Sequence, residues 1–221
     1  MHWRIDTQGQ SIALATEGGI PEVIYWGPRL PGGEDLGQLA LAAQHDLTGG
    51  MLDKLPSLSL SPEPGRAFQG QPGHVLAEAD GTPLLPAFRF DRAETAPGRL
   101  TLISIASGLV LRHVLTARAT GTITLQTVLE AERAIRVQWL AAPVLPAPQS
   151  GEMIDVHGKW IGEFHLVRTP WSPGIRLREA RTGRSGHEHP SYLILAGEGC
   201  TNTAGEALAL HYAWSGGHRM V

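Results

Sequence analysis

The sequence predicts an all-β protein built from two large packed sheets with at most one or two short helices. Three observations carry that expectation. Apolar and polar residues alternate with period two over most of the chain, so that one face of each segment is apolar. The 27 glycines and 16 prolines lie between these alternating stretches and not in a single low-complexity block, the distribution expected of many short strands joined by many turns. Only one stretch, residues 34–45, has helical spacing.

The alternation is clearest at residues 109–116, where Leu109, Leu111, His113 and Leu115 share a face opposite Val110, Arg112, Val114 and Thr116. Residues 122–130 set Ile123, Leu125, Thr127 and Leu129 against Thr124, Gln126, Val128 and Glu130, and residues 134–142 repeat the pattern with Ile135, Val137 and Trp139. These read as three consecutive strands of a meander. Further strands are expected at residues 2–6, 11–15, 22–26, 85–91, 99–105, 160–168, 174–180, 191–196 and 206–214. The helical stretch places Leu36, Leu39, Ala40 and Ala43 on one face, with acidic residues in its first turn. Turn chemistry marks residues 31–33, 48–50, 80–83, 96–98 and 143–151. More than a dozen strands exceed an immunoglobulin-like domain, hence the two large sheets.

At 221 residues and 42% hydrophobic composition the chain can bury a sizeable core. Eighteen Lys plus Arg against 21 Asp plus Glu give a formal net charge of −3, which offers no basic field, so nucleic acid is not an expected partner. No apolar run approaches the roughly 18 residues of a membrane span, and the N-terminus has no signal-peptide pattern. A cytoplasmic protein is expected, in keeping with a single cysteine, Cys200, which can form no internal disulfide.

Residues 53–73 stand apart. Their prolines and glycines prevent long regular structure, while Leu55, Leu58, Leu60 and Phe68 are too apolar for a solvated linker. An ordered functional loop and a proline-rich surface excursion are the two readings. The carboxylates Glu63, Glu152, Asp155 and Glu163 read as solvated surface groups. His187-Glu188-His189 has the i, i+2 spacing that can share a metal ion on a strand, but Pro190 follows where a further ligand would be wanted. No metal and no cofactor is expected. Gly183-Arg184-Ser185-Gly186 is a weak anion nest, and no Gly-x-Ser-x-Gly elbow occurs. Six tryptophans, at 3, 26, 139, 160, 171 and 214, could stack on sugar faces, although core and interface packing is their commoner use.

The last third of the chain resembles the N-terminal domain of family 36 of the glycoside hydrolases, the bacterial α-galactosidases. Gly158-Lys159-Trp160 with Glu163-Phe164 looks like that family's Gly-x-Trp and acidic-aromatic strand. Gly183-Arg184-Ser185-Gly186-His187, with Pro190, looks like its Gly-Arg-Thr-Ser-His turn, and Gly205-Glu206 running to Trp214-Ser215-Gly216 looks like the Gly-Glu strand ending in Tyr-Ser-Gly-Asn. Upstream, Tyr25-Trp26-Gly27 and Pro62-Glu63-Pro64-Gly65-Arg66 with Gly70 and Pro72 are similar to its early aromatic-Gly element and its Pro-Glu-x-Gly loop. The sequence departs from the pattern at Gly186, His189, Trp214 and Gly217.

The resemblance implies a galactose mutarotase-like β-supersandwich over residues 1–221. A (β/α)₈ barrel would follow, carrying two catalytic aspartates that act with retention. No residue of this chain is then catalytic. The implied role is scaffolding of the barrel, in a homo-oligomeric full-length enzyme acting on α-galactoside oligosaccharides. A loop of the N-terminal domain would reach the sugar pocket, with Asp53 and Arg66 as the substrate-binding residues by motif position. A structural ion pair inside the loop is the competing reading of those two. Two other classes remain open: a free-standing carbohydrate-binding module, and a mutarotase-like enzyme in which a histidine and a carboxylate converge in a cleft.

Overall fold

Alternating segments become antiparallel strands in the computed structural model, which describes residues 1–44, 58–184 and 186–221. The described residues fall into two compact units, Met1–Pro146 and Ala147–Val221.

The first unit begins with β1 (His2–Asp6), β2 (Gln10–Ala15) and β3 (Glu22–Pro28), a sheet in that order, followed by α1 (Leu36–Ala42). Asp35 caps α1 by accepting from the Gly37 and Gln38 amides, so the acidic residues precede the first turn instead of lying in it. Leu36, Leu39 and Ala40 form its half-buried stripe, while Ala43 is exposed. Next come β4 (His74–Glu78) and β5 (Pro83–Leu84), then a four-stranded sheet in chain order of β6 (Arg89–Ala96), β7 (Arg99–Ala106), β8 (Leu109–Ala117) and β9 (Ile123–Ala131). The β7–β8 turn is Ser107-Gly108, both at positive φ (34° and 76°), the backbone that matches the right-handed twist of a two-residue hairpin. β10 (Ile135–Leu140) pairs with β4 and not with β9. The expected three-strand meander therefore stops at β9. Where the chain leaves β9, Arg133 donates to both Glu78 carboxylate oxygens (2.7 and 3.1 Å) and to the Ser107 carbonyl (3.0 Å), beside the Ile135–Glu78 pair that begins the β10–β4 ladder.

Residues from all three sheets meet in one core of Ile5, Ile12, Leu14, Leu76, Phe88, Leu102, Leu111 and Leu115 with their neighbours. The face read from the sequence as Leu109, Leu111, His113 and Leu115 is buried throughout. His113 lies opposite Leu102 and Thr127 on the flanking strands. Neither of its ring nitrogens has a hydrogen-bond partner among the described residues, and the same holds for Nε2 of His74 and the Ser104 hydroxyl. His74 Nδ1 contacts the Ser61 hydroxyl at 3.0 Å, and its ring meets Phe88 edge-on.

In the second unit β11 (Glu152–Lys159), β12 (Gly162–Pro170), β14 (Tyr192–Ala196) and β15 (Ala207–His211) form a sheet in the order β12-β11-β14-β15. β13 (Arg178–Ala180) pairs with β16 (His218–Met220). Gly158 sits at the register shift between β11 and β12, where a Cβ would stand 2.7 Å from Glu163 Cα, so this position of the Gly-x-Trp motif is fixed by close backbone approach. The core here is small (Met153, Val156, Leu195, Ala196). β4 and β11 escaped the sequence reading because each buries a polar residue, His74 and Asp155, that breaks the apolar alternation. β5 and β16 are too short to show a period.

Burial pushes the His113 imidazole down to about 3, with a smaller contribution from His74, and burial lowers His74 as well. Both must fold neutral. The stabilisation is complete above the unfolded pKa near 6.5 and is lost as pH falls from there toward the folded value, costing about 2 kcal/mol from His113 alone at about pH 5. Urea midpoints should therefore fall between about pH 7.5 and pH 5, and His113→Leu should flatten that slope; an unchanged slope would contradict the assignment.

Candidate functional site

The segment from Leu58 to Gly73 is an ordered loop. Leu60 is fully buried, and its ends are pinned by the Gly73 amide donating to Pro62 O at 2.8 Å. Pro64–Arg66 forms one 3₁₀ turn closed by Ala67 in the left-handed region. Glu63 lies beneath it, 4% exposed and not a solvated surface group as its type suggests. Its Oε1 accepts the Phe88 amide at 2.7 Å and its Oε2 pairs with Arg66 Nε at 2.7 Å, while Arg66 Nη2 donates to Phe88 O at 2.9 Å. Burial raises the Glu63 pKa against the opposing pull of those bonds. Arg66 is thus the partner of a buried carboxylate, with a side chain 48% exposed. Asp53 lies outside the described residues.

The second unit holds another buried carboxylate. Asp155, 3% exposed, corrects the same surface expectation. Its Oδ2 lies 3.1 Å from Arg178 Nε and its Oδ1 lies 3.0 Å from His157 Nε2. Asp155 Oδ1 and Arg178 Nε have no hydrogen-bond partner among the described residues, so the Asp155–Arg178 contact is an ion pair without a hydrogen bond. Arg178 directs its other nitrogens to the carbonyls of Tyr192 (2.7 Å) and Val156 (3.2 Å), which ties β13 to β14 and β11. The His157 ring meets His189 edge-on at 5.1 Å. The His189 pKa is lowered, first by burial and then by His157 and Arg178.

Beside this network lies a cleft of about 440 Å³ lined by Glu163, Phe164, Arg184, His187, Ser191 and Tyr192, with Gly186 and Pro190 at its wall. Glu163 accepts the Ile161 amide (3.2 Å) and the Gly162 amide (3.1 Å). Backbone hydrogen bonds, with a smaller contribution from His187, hold its pKa below the usual value. Trp160 reaches His187, with ring centroids 6.4 Å apart. His187 and His189 thus face different rings, and no group of three metal-ligating side chains occurs among the described residues. In a second cleft near Gly151 and Gly199, Arg168 pairs with Glu152, and Glu198 also lines the wall.

Residues 19–221 match the glycosyl hydrolase family 36 N-terminal domain. The chain belongs to this family. It is 30% identical over 207 residues to an α-galactosidase of Escherichia coli, covering 90% of this chain and 28% of that protein. Among solved structures it is similar to the α-galactosidase of Lactobacillus brevis (TM-score 0.81, 17% identity, 99% of this chain and 34% of that one). It is also similar to a raffinose complex of the family 36 α-galactosidase AgaA from Geobacillus stearothermophilus (TM-score 0.81, 16% identity, 98% and 34%). These likenesses establish the all-β sandwich of the family 36 N-terminal domain, and the chain spans under a third of the E. coli relative's length.

Arg184, Gly186 and His187 line one cleft with Glu163 and Phe164, residues of two motifs noted separately in the sequence. Asp155 and Arg178 carried no sequence signal of their own, because a buried charge pair is defined by partners distant in the chain. Of the tryptophans, Trp3 and Trp26 pack against the core, whereas Trp160 and Trp214 are 76% and 57% exposed.

Two substitutions test these pairs. Arg66→Gln should cost about 1–2 kcal/mol, less than a fully buried pair because Arg66 is half exposed, and lower the melting midpoint by a few degrees; an unmoved midpoint would show that Glu63 does not need it. Arg178→Gln leaves Asp155 buried without its guanidinium partner and should cost about 3–5 kcal/mol by chemical denaturation.

Proposed function

We propose that this chain is the N-terminal accessory domain of a retaining α-galactosidase-type glycoside hydrolase. In this reading residues 1–221 act as one supersandwich domain that scaffolds a catalytic (β/α)₈ barrel and lends a loop to its sugar pocket. The observation that carries the proposal is family membership over residues 19–221 together with coverage of only 28% of an α-galactosidase at 30% identity. The second unit supports it. Leu166, Ile175 and Trp214 are each more than half exposed, and side chains of this size favour being covered, at about 25 cal/mol per Å² of apolar surface. The barrel is the cover proposed.

The chemistry of retention needs two carboxyl groups about 5–5.5 Å apart across the scissile bond, one as nucleophile and one as acid/base. Here the two buried carboxylates, Glu63 and Asp155, each face an arginine and not a second acid, so the pair is assigned to the barrel. An α-galactoside oligosaccharide is the proposed substrate; AgaA, a structural relative, has been solved with raffinose and with stachyose. Asp53 and Arg66 are the proposed rim residues, in a homo-oligomer of the full-length enzyme. The exposed part of Arg66 leaves it room to meet a sugar hydroxyl while it holds Glu63. The mutarotase alternative is disfavoured by Glu163, whose two oxygens are engaged by backbone amides and so make a poor base.

The 221-residue chain should release no nitrophenol from an aryl α-galactoside above the uncatalysed rate, whereas the full-length enzyme should turn it over. Turnover by the isolated chain that survives repurification would overturn the assignment. In the full-length enzyme Asp53→Asn should lower kcat/KM about ten- to hundredfold with little change in melting, the loss of one or two charge-assisted bonds to sugar hydroxyls; unchanged kinetics would remove Asp53 from the rim.

A further inference from the structure

The β11–β12 hairpin turns through Trp160 and Ile161, since Lys159 pairs with Gly162. Two-residue hairpin turns favour glycine and asparagine, because their backbone enters the left-handed region. Here Ile161 and, two residues after Gly162, Phe164 adopt φ of 60° and 59°. A β-branched residue and an aromatic pay a steric cost there. Glu163 holds the turn in place through the two amide bonds described above. The strained arrangement leaves Trp160 76%, Ile161 86% and Phe164 71% exposed. Strain is thus spent on presenting aromatic rings to solvent at the rim of a cleft, the opposite of what core packing would select.

Opposite the hairpin, the Arg184–Tyr192 segment supplies a guanidinium, an imidazole, the Ser191 hydroxyl and the Tyr192 ring. The lining sets one carboxylate, Glu163, against one guanidinium, Arg184, with no cluster of like charge to select a phosphate or a polycation. Paired donors and acceptors beside aromatic faces suit a neutral polyol with an apolar face: the C–H face of a pyranose packs on a ring while its hydroxyls bridge carboxylate and guanidinium. A volume of about 440 Å³ is within the range of small-ligand sites.

We propose that this cleft is a neutral-sugar binding site, with Phe164 and Tyr192 as the stacking faces, Arg184 and Glu163 as the hydroxyl-binding pair, and Trp160 with His187 closing one end. The residues that line the site all belong to the second unit. It stands whether or not the accessory-domain assignment holds: catalysis by the isolated chain would overturn that assignment and leave this one untouched.

The test is a ¹H–¹⁵N titration of the 221-residue chain with methyl α-galactopyranoside, with raffinose, and with sodium phosphate in a separate arm. The expected result is saturable shifts confined to residues 160–164 and 184–192, with a dissociation constant on the order of 1 mM for one of the sugars. Arg184→Gln should weaken binding about tenfold while the rest of the spectrum is unchanged. Phe164→Gly should abolish binding yet leave the melting midpoint equal or higher, because glycine relieves the left-handed strain. A structural role for Phe164 would lower the midpoint instead. Absence of saturation with both sugars, shifts mapping elsewhere, or phosphate producing the same shifts at lower concentration would each overturn the proposal.

Discussion

A carboxylate removed from water must be answered by a cation or by N–H groups, and each unit of this protein contains one such carboxylate. Glu63 is answered by Phe88 N–H and by Arg66, which also returns to the Phe88 carbonyl. This closed circuit fastens the proline-rich loop to the strand that enters the four-stranded sheet. Asp155 is answered by Arg178, whose remaining donors reach β11 and the start of β14. In both cases one arginine faces the charge and also donates to backbone, at one carbonyl for Arg66 and at two for Arg178, a task suited to its planar, multi-donor geometry.

These pairs explain why the two units tolerate different amounts of core. The first has a broad apolar interior in which strands from three sheets interlock, and there Glu63 serves mainly to close a loop over it. The second buries few large side chains, so the Asp155–Arg178 contact and backbone pairing carry a larger share of its organisation. That leaves much of its apolar surface outward, where both the proposed barrel contact and the proposed sugar cleft are placed. A family 36 domain built this way has a rigid part that stores the loop and a more open part that presents side chains.

The motifs acquire physical meanings that their spelling alone did not carry. The glycine of Gly-x-Trp is required by close approach of β12, the acidic residue of Glu-Phe ties down the hairpin tip, and the Phe after it stands in a strained conformation at the cleft. The Arg66 position is a structural partner of Glu63 first, and any contact with substrate is made by what remains exposed. The His187-Glu188-His189 triplet divides its two rings between Trp160 and His157 and so does not form a joint ligand set.

The sequence by itself determined the all-β class, most strand positions, the buried face of β8 and the family, because period two and turn chemistry are local properties and motif order is read along the chain. Tertiary structure alone decided that β10 leaves the meander for β4, because Ile135 pairs with Glu78, a partner distant in the chain that no local pattern records. It also decided that Glu63, His74 and Asp155 are interior, since a polar residue in an alternating pattern looks the same whether its partner is water or another part of the chain. The convergence of Glu163-Phe164 with the Arg184–Tyr192 segment followed for the same reason: β11 carries their strands side by side, and no spacing along the chain records which strands a third one will join.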